Sequence, residues 1–272
     1  MQLIDTHCHI HEALGTAQLS TETRSKYEKA GTPSPDDMVT AALAHDVSCM
    51  VCVGTTLEDS EIAVEFAAKR EPIWASIGLH PHEAKVYAGN EKALKKFASL
   101  ATKPKVVAVG ECGLDYYYNH SLQVDQEAVL RFQIELALEH DLALIFHVRD
   151  AFEDFWPIFD EYKGIRGIIH SFSASKKELD QILDRGLYVG LNGIMTFTNK
   201  DDQLEAAKSV PTSRLVLETD APFLTPTPYR GRICEPKHVR VTAEFLAQLR
   251  DESVEEIARY TTENAQTVFR LR

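Results

Sequence analysis

Two imidazoles stand two residues apart in Asp5-Thr6-His7-Cys8-His9, directly after the apolar pair Leu3-Ile4. Alternate residues of an extended chain share a face, so His7 and His9 can grip one metal ion while Thr6 and Cys8 point elsewhere. A single His-x-His pair is weak, because exposed strands carry such pairs through solvation alone. Its company strengthens it: His80 in His80-Pro81-His82, Glu111 in Val109-Gly110-Glu111-Cys112-Gly113-Leu114-Asp115, His147 in Ile145-Phe146-His147-Val148-Arg149, His170 in Ile168-Ile169-His170-Ser171-Phe172, and Asp220 in Leu217-Glu218-Thr219-Asp220-Ala221-Pro222. Each falls where a short apolar run stops. Mixed imidazole and carboxylate donors accept Zn, Mn or Mg.

Those runs define the elements that must position the donors. Leu3-Asp5, Ser48-Thr55, Ile73-Leu79, Lys105-Gly110, Leu142-His147, Gly167-His170, Leu187-Asn192 and Arg214-Glu218 read as strands, nearly continuous in hydrophobicity and so buried on both faces. Between them Asp36-Asp46, Leu57-Arg70, Glu91-Ala101, Leu122-Asp141, Phe152-Tyr162, Lys176-Arg185 and Asp201-Val210 carry helical spacing, with Ala128, Phe132 and Leu136 as one apolar stripe. Ser175 with Glu178, and Ser253 with Glu256, are capping boxes, and Gly186 is a helix stop. Eight strands alternating with helices predict an α/β fold, a (β/α)8 TIM barrel. His7, His9, Glu111, His147, His170 and Asp220 then fall at the C-terminal strand ends, where such barrels keep their chemistry. Any one of them is blandly explained as a surface histidine or a cap; the set of six predicts a metal centre.

The 272 residues suit one barrel domain, and no linker or repeat interrupts them. Residues 11–35 form the longest polar connection and read as an insertion over the site. With 41 acidic against 29 basic residues the formal charge is -12, which excludes a broad electrostatic nucleic-acid footprint but not a nucleic-acid substrate held at bound cations. Five scattered cysteines point to a reducing compartment, and Cys49 and Cys52 are expected to be buried apolar side chains. No apolar run has the length of a membrane span and no leader precedes the first strand, so the expected location is cytoplasmic. No protein partner is deducible.

From end to end the chain resembles the TatD family of metal-dependent deoxyribonucleases, among the amidohydrolase-like barrels. The resemblance is carried by D-T-H-C-H, by G-x-H-P-H at Gly78 to His82, by G-E-C-G-L-D-Y at Gly110 to Tyr116, by H-x-R at His147 to Arg149, by H-S-F at His170 to Phe172, by E-T-D-A-P at Glu218 to Pro222 and by R-G-x-x-C-E-P at Arg230 to Pro236. It implies two divalent ions, one among His7, His9, Glu111 and Asp220 and a second among Glu111, His147 and His170, with Glu111 as the bridge. It implies hydrolysis of DNA, with 3′-5′ polarity. Strand four ends in Glu111 with no lysine beside it, which separates the chain from amidohydrolases bridged by a carbamylated lysine. Two features depart from the pattern: the insertion at 11–35, and Cys234 where asparagine is the more usual residue.

Two divalent ions suit phosphoryl hydrolysis, because they activate water and neutralise both the entering and the leaving oxygen. Asp220 would hold one ion and accept the proton of the attacking water. His80, held extended by Pro81, would contact the phosphate or leaving group, and Arg149 would hold the phosphate unless it pairs with Asp150 or a loop carboxylate. Glu218 is either a second-layer carboxylate orienting a histidine or a polar group of the barrel interior. His82 would support its loop and His11 would be a loop or rim histidine. His45, His120, His140 and His238 are read as non-catalytic. Among Tyr116, Tyr117 and Tyr118 one could stack a base, with at least two packed in their loop. The expected substrate is DNA at single-stranded or frayed ends. The rival hydrolases are a D-aminoacyl-tRNA deacylase and a small cyclic amide hydrolase, and the non-enzymatic rival is a scaffold that retains metal without turnover.

Overall fold

A computed structural model of the chain describes residues 1–14, 21–31 and 33–271, with the side chains of 21–24 outside the description. Part of the predicted insertion, residues 15–20 and 32, therefore lies outside the described residues. The elements run β1 (Leu3–Cys8), α1 (Thr21–Lys29), α2 (Pro35–Leu43), β2 (Val47–Val53), α3 (Leu57–Ala68), β3 (Ile73–Ile77), α4 (Ala84–Tyr87), α5 (Glu91–Ala98), β4 (Val106–Asp115), α6 (Gln123–Glu139), β5 (Ala143–Arg149), α7 (Phe152–Asp160), β6 (Gly167–Ile169), α8 (Lys176–Asp184), β7 (Tyr188–Leu191), α9 (Asp201–Ser209), β8 (Leu215–Leu217), α10 (Val239–Arg250) and α11 (Val254–Phe269). The strands form one eight-stranded sheet in chain order. Each predicted strand is present.

Contacts group the chain into two compact units, Met1–Cys52 with Ser171–Arg272, and Val53–His170. In the first, β1 pairs with β2 and β7 with β8, all parallel. Every residue of β1 is buried, as a strand covered on both faces requires. Just before its N-terminal end it is tied to α11, where the Thr262 hydroxyl donates to the Gln2 carbonyl at 2.9 Å. In the second, β3, β4, β5 and β6 pair consecutively in parallel. All ten residues of β4 are buried.

Several expectations about the elements change. β1 runs on through Cys8, β4 through Asp115 and β5 through Arg149, so His7 and Glu111 lie within strands rather than after them and His147 is no longer the last residue of its strand. Pairing of β3 with β4 ends at Val109, whereas pairing of β4 with β5 resumes at Cys112 and continues to Asp115. Glu111 therefore sits where β4 parts from one neighbour and keeps the other. Gly113 allows this continuation: its φ is 149°, and a Cβ there would stand 1.8 Å from the His147 carbonyl oxygen. The insertion contains a one-turn helix at Ile10–Leu14 and α1, and α10 is a helix that the apolar spacing did not predict. Both capping boxes are formed, and Gly186 ends α8 with a φ of 72°.

Candidate metal centre

In the first unit the backbone itself brings Asp220 to the histidines of β1. The Asp220 N–H donates to the His7 carbonyl at 2.9 Å, and the His9 N–H donates to the Ala221 carbonyl at 2.7 Å. Asp5 locks the junction. Its Oδ1 accepts the Thr219 N–H at 2.9 Å and its Oδ2 the Thr219 hydroxyl at 2.6 Å. Burial pushes the Asp5 carboxyl well up, although the bonds from Thr219 pull the other way. With the chain so laced, His7 Nε2 and His9 Nε2 face each other at 3.1 Å. Asp220 Oδ1 lies 3.7 Å from the first and 3.3 Å from the second. Two ring nitrogens and a carboxylate oxygen thus converge on one point, a donor set that a divalent cation satisfies better than a shared proton.

In the second unit the focus is one oxygen of Glu111. Its Oε1 has His147 Nδ1 at 2.8 Å, His170 Nε2 at 3.0 Å and His80 Nε2 at 3.4 Å. A ring nitrogen of His80, an oxygen of Glu111 and a ring nitrogen of His147 thus lie within 4.8 Å of one another. Burial opposes the Glu111 charge, but His170, His80 and His147 together hold its carboxyl well below the ordinary range. Behind His147 stands Asp115, whose Oδ2 accepts from His147 Nε2 at 3.0 Å. Burial would push His147 down, yet its bonds to Asp115 and Glu111 prevail and raise it. An imidazole with one nitrogen toward the focus and the other on a buried carboxylate is the usual arrangement of an oriented metal-binding histidine. Burial lowers His80 to about 4, which leaves its ring neutral. Since His80 Nδ1 accepts the His82 N–H at 3.1 Å, the ring proton of that neutral form is on Nε2.

The family model described as "TatD related DNase" matches residues 4–270. The chain belongs to that family. Its relatives include the uncharacterized metal-dependent hydrolase YabD of Bacillus subtilis, 36% identical over 271 residues that cover 99% of each chain. Another is the 3′-5′ ssDNA/RNA exonuclease TatD of Salmonella typhimurium, 34% identical over 245 residues, which are 87% of this chain and 93% of that one. Among solved structures, the TatD homologue YjjV of Escherichia coli K12 superposes with a TM-score of 0.81 at 25% identity, covering 99% of this chain and 98% of that one. The TatD-family fold, a (β/α)8 barrel of α/β class, is therefore the fold of this chain, as the alternation of apolar runs predicted. The chain is a metal-dependent hydrolase of the TatD family.

Glu218 is fully buried; its Oε1 accepts the Ser171 N–H at 2.6 Å and the Asn192 amide at 3.2 Å, and so fixes the residue after His170. Gly190 makes room for it, since a Cβ there would meet Glu218 Oε2 at 2.3 Å. The Arg149 guanidinium lies over the rings of Tyr117 and Tyr118, 4.1 and 4.7 Å from their centroids. His82 supports the loop, donating to Asp115 Oδ2 at 2.8 Å. His11 is a buried residue of the one-turn helix Ile10–Leu14 rather than an exposed loop or rim histidine. Cys52 is buried but Cys49 only half-buried, because residues three apart on a strand face opposite ways. Tyr117 and Tyr118 are exposed, so at least two tyrosines of the run are not packed in the loop as expected. From the insertion, the Tyr27 hydroxyl donates to the His9 carbonyl at 3.1 Å and the Lys26 ammonium lies 5.1 Å from the Phe223 ring centre. Cys234 is buried, its N–H bonded to the Pro222 carbonyl at 3.2 Å. Among the described residues no helix is long and apolar enough to cross a membrane.

Asp115 lies in the motif Val109 to Asp115, whose residue types alone assign it no role. Its spacing from Glu111, four residues along one strand, puts both carboxylates on one face and could have signalled the pair. Also unforeseen are Gln126 and Gln133, buried polar residues of α6 seven positions apart. Gln133 accepts the Leu79 N–H at 2.8 Å and donates to the Leu79 carbonyl at 3.0 Å, gripping the backbone just before His80. Gln126 accepts the Asp115 N–H at 2.8 Å and donates to the Asp115 carbonyl at 3.2 Å.

Proposed function

We propose that the chain is a divalent-metal phosphodiesterase, a DNA exonuclease of 3′-5′ polarity that acts on single-stranded or frayed ends. One ion would be held by His7, His9 and Asp220, the other by Glu111, His147 and His170, with Mg, Mn or Zn as the metal. The observation that carries this reading is the convergence of three ring nitrogens on a single Glu111 oxygen, with His147 backed by Asp115. The family membership and the printed activity of the Salmonella relative support it. Bound divalent ions supply charge neutralisation at the phosphoryl oxygens and acidify water. Asp220 takes the proton from the attacking water, while the His80 Nε2–H donates to the phosphate or the leaving oxygen. Arg149 holds a phosphate by its guanidinium, whose planar donors match phosphate oxygens. Glu218 keeps the segment after His170 in place.

The test presents metal-loaded protein with an end-labelled single-stranded oligonucleotide, a D-aminoacyl-tRNA and a small cyclic amide in parallel. Expected is stepwise shortening from the 3′ end with release of mononucleotides, stopped by chelator. Release of free amino acid, or opening of the amide, with the oligonucleotide left intact would assign the same ligands to a different hydrolase.

A further inference from the structure

Tyr117 and Tyr118 are 58% and 49% exposed, an uncommon place for two adjacent aromatic rings. Their backbone is nevertheless fixed. Asp115 Oδ1 accepts the N–H of Tyr117 at 3.0 Å and of Tyr118 at 2.9 Å, while its Oδ2 holds His82 and His147. One buried carboxylate therefore sets both the orientation of a metal-binding histidine and the start of the aromatic run. The rings meet edge to face, 4.8 Å apart at 86°. Tyr118 is stacked on His120 at 5.6 Å and 5°, and His82 abuts both.

Arg149 adds the charge. It is the register partner of Asp115 in the β4 and β5 ladder, so the strand that delivers His147 also delivers an exposed guanidinium to the tyrosine faces. Flat π faces beside a fixed cation complement a ligand that alternates planar rings with anionic groups at short spacing. An unpaired stretch of nucleic acid has that chemistry: every base has a π face, and each is followed by a phosphate. A duplex buries its base faces in its own stack and could offer only its terminal pair.

We infer that Tyr117 and Tyr118, with Arg149, form a stacking platform for an unpaired nucleobase beside the scissile end, which makes the site selective for single-stranded ends and tolerant of base identity. The inference rests on the phosphodiesterase reading above and adds to it the part of the substrate that the metal ligands do not touch. Stacking of one base changes affinity by roughly ten- to a hundredfold.

The test measures equilibrium binding, independent of turnover, by fluorescence anisotropy with metal-loaded protein. Two labelled phosphorothioate oligonucleotides serve as probes, identical except that one has its terminal bases removed. Wild type is expected to bind the base-bearing probe at least about tenfold more tightly. A double variant Tyr117→Ala and Tyr118→Ala loses that preference, and Tyr117→Phe with Tyr118→Phe keeps it. Equal affinity of the wild type for both probes overturns the platform and leaves the rings to some other apolar partner. Retention of the wild-type preference by the alanine variant, or equal weakening of both probes in it, overturns the assignment to these tyrosines. Absence of nucleotide release by the wild type, with base-dependent binding intact, would count against the hydrolytic reading alone.

Discussion

One oxygen of Asp115 accepts from His82 and His147 and the other from two backbone N–H groups, so four donors neutralise a carboxylate that is wholly buried. Burial would raise its pKa; the bonds from His147 and His82 hold it far below the usual carboxylate range. Asp115→Asn keeps the shape and removes the charge that orients the His147 ring. Metal affinity is expected to fall about 10–100-fold, read by competition with a chelator of known affinity, with an unchanged circular dichroism spectrum. An unaltered affinity would mean that Asp115 serves the loop alone. Asp220→Asn tests the base. With metal restored by excess, turnover is expected to remain down by roughly 10²–10⁴, the loss of a general base. Near-normal turnover in a metal-replete preparation, with Glu111→Ala as the control for contaminating nuclease, would move the role of base elsewhere.

At the scale of elements, α6 fixes the chain around two functional residues through side-chain amides. Gln133 replaces a strand neighbour for Leu79, satisfying both its N–H and its carbonyl, and Gln126 does the same for Asp115. Gln133→Ala would leave two buried backbone groups without these partners, at a cost of about 2–4 kcal/mol. A urea titration should show this as a lower midpoint with an unchanged slope, and a midpoint equal to wild type would show that water replaces the amide. These glutamines also explain a misreading. Counted as polar, they hid the buried face of α6, and the stripe Ala128, Phe132 and Leu136 runs from an exposed residue to a buried one. The strands were legible because burial on both faces leaves uninterrupted apolar runs. β4 was cut short because Gly110 and Gly113 imitate terminators, although a Cβ at 113 would collide with β5. α10 was invisible because Val239, Val241 and Thr242 favour an extended chain, and α1 because Tyr27 is its one large apolar residue. The candidate donors were legible as residue types near the ends of apolar runs, whereas Asp5, Asp115 and the glutamines act only through contacts that folding creates.

Across the whole molecule, a formal charge of -12 repels a polyanion, so substrate affinity has to be supplied locally. In the proposed function Arg149 would be one such source and bound divalent ions the stronger one. The donors are divided between the two compact units, His7, His9 and Asp220 in one and Glu111, His147 and His170 in the other. Each group contains at least one carboxylate and two imidazoles, enough to hold an ion by its own donors. The proposal of two ions per chain, both needed for hydrolysis, is the central claim to be tested. The direct measurement is a titration of chelator-stripped protein with Mn(II), in which bound metal and the rate of mononucleotide release are read on the same samples. The rate should climb through the second equivalent and level off at two. Full activity at a plateau of one bound ion per chain would contradict the binuclear account.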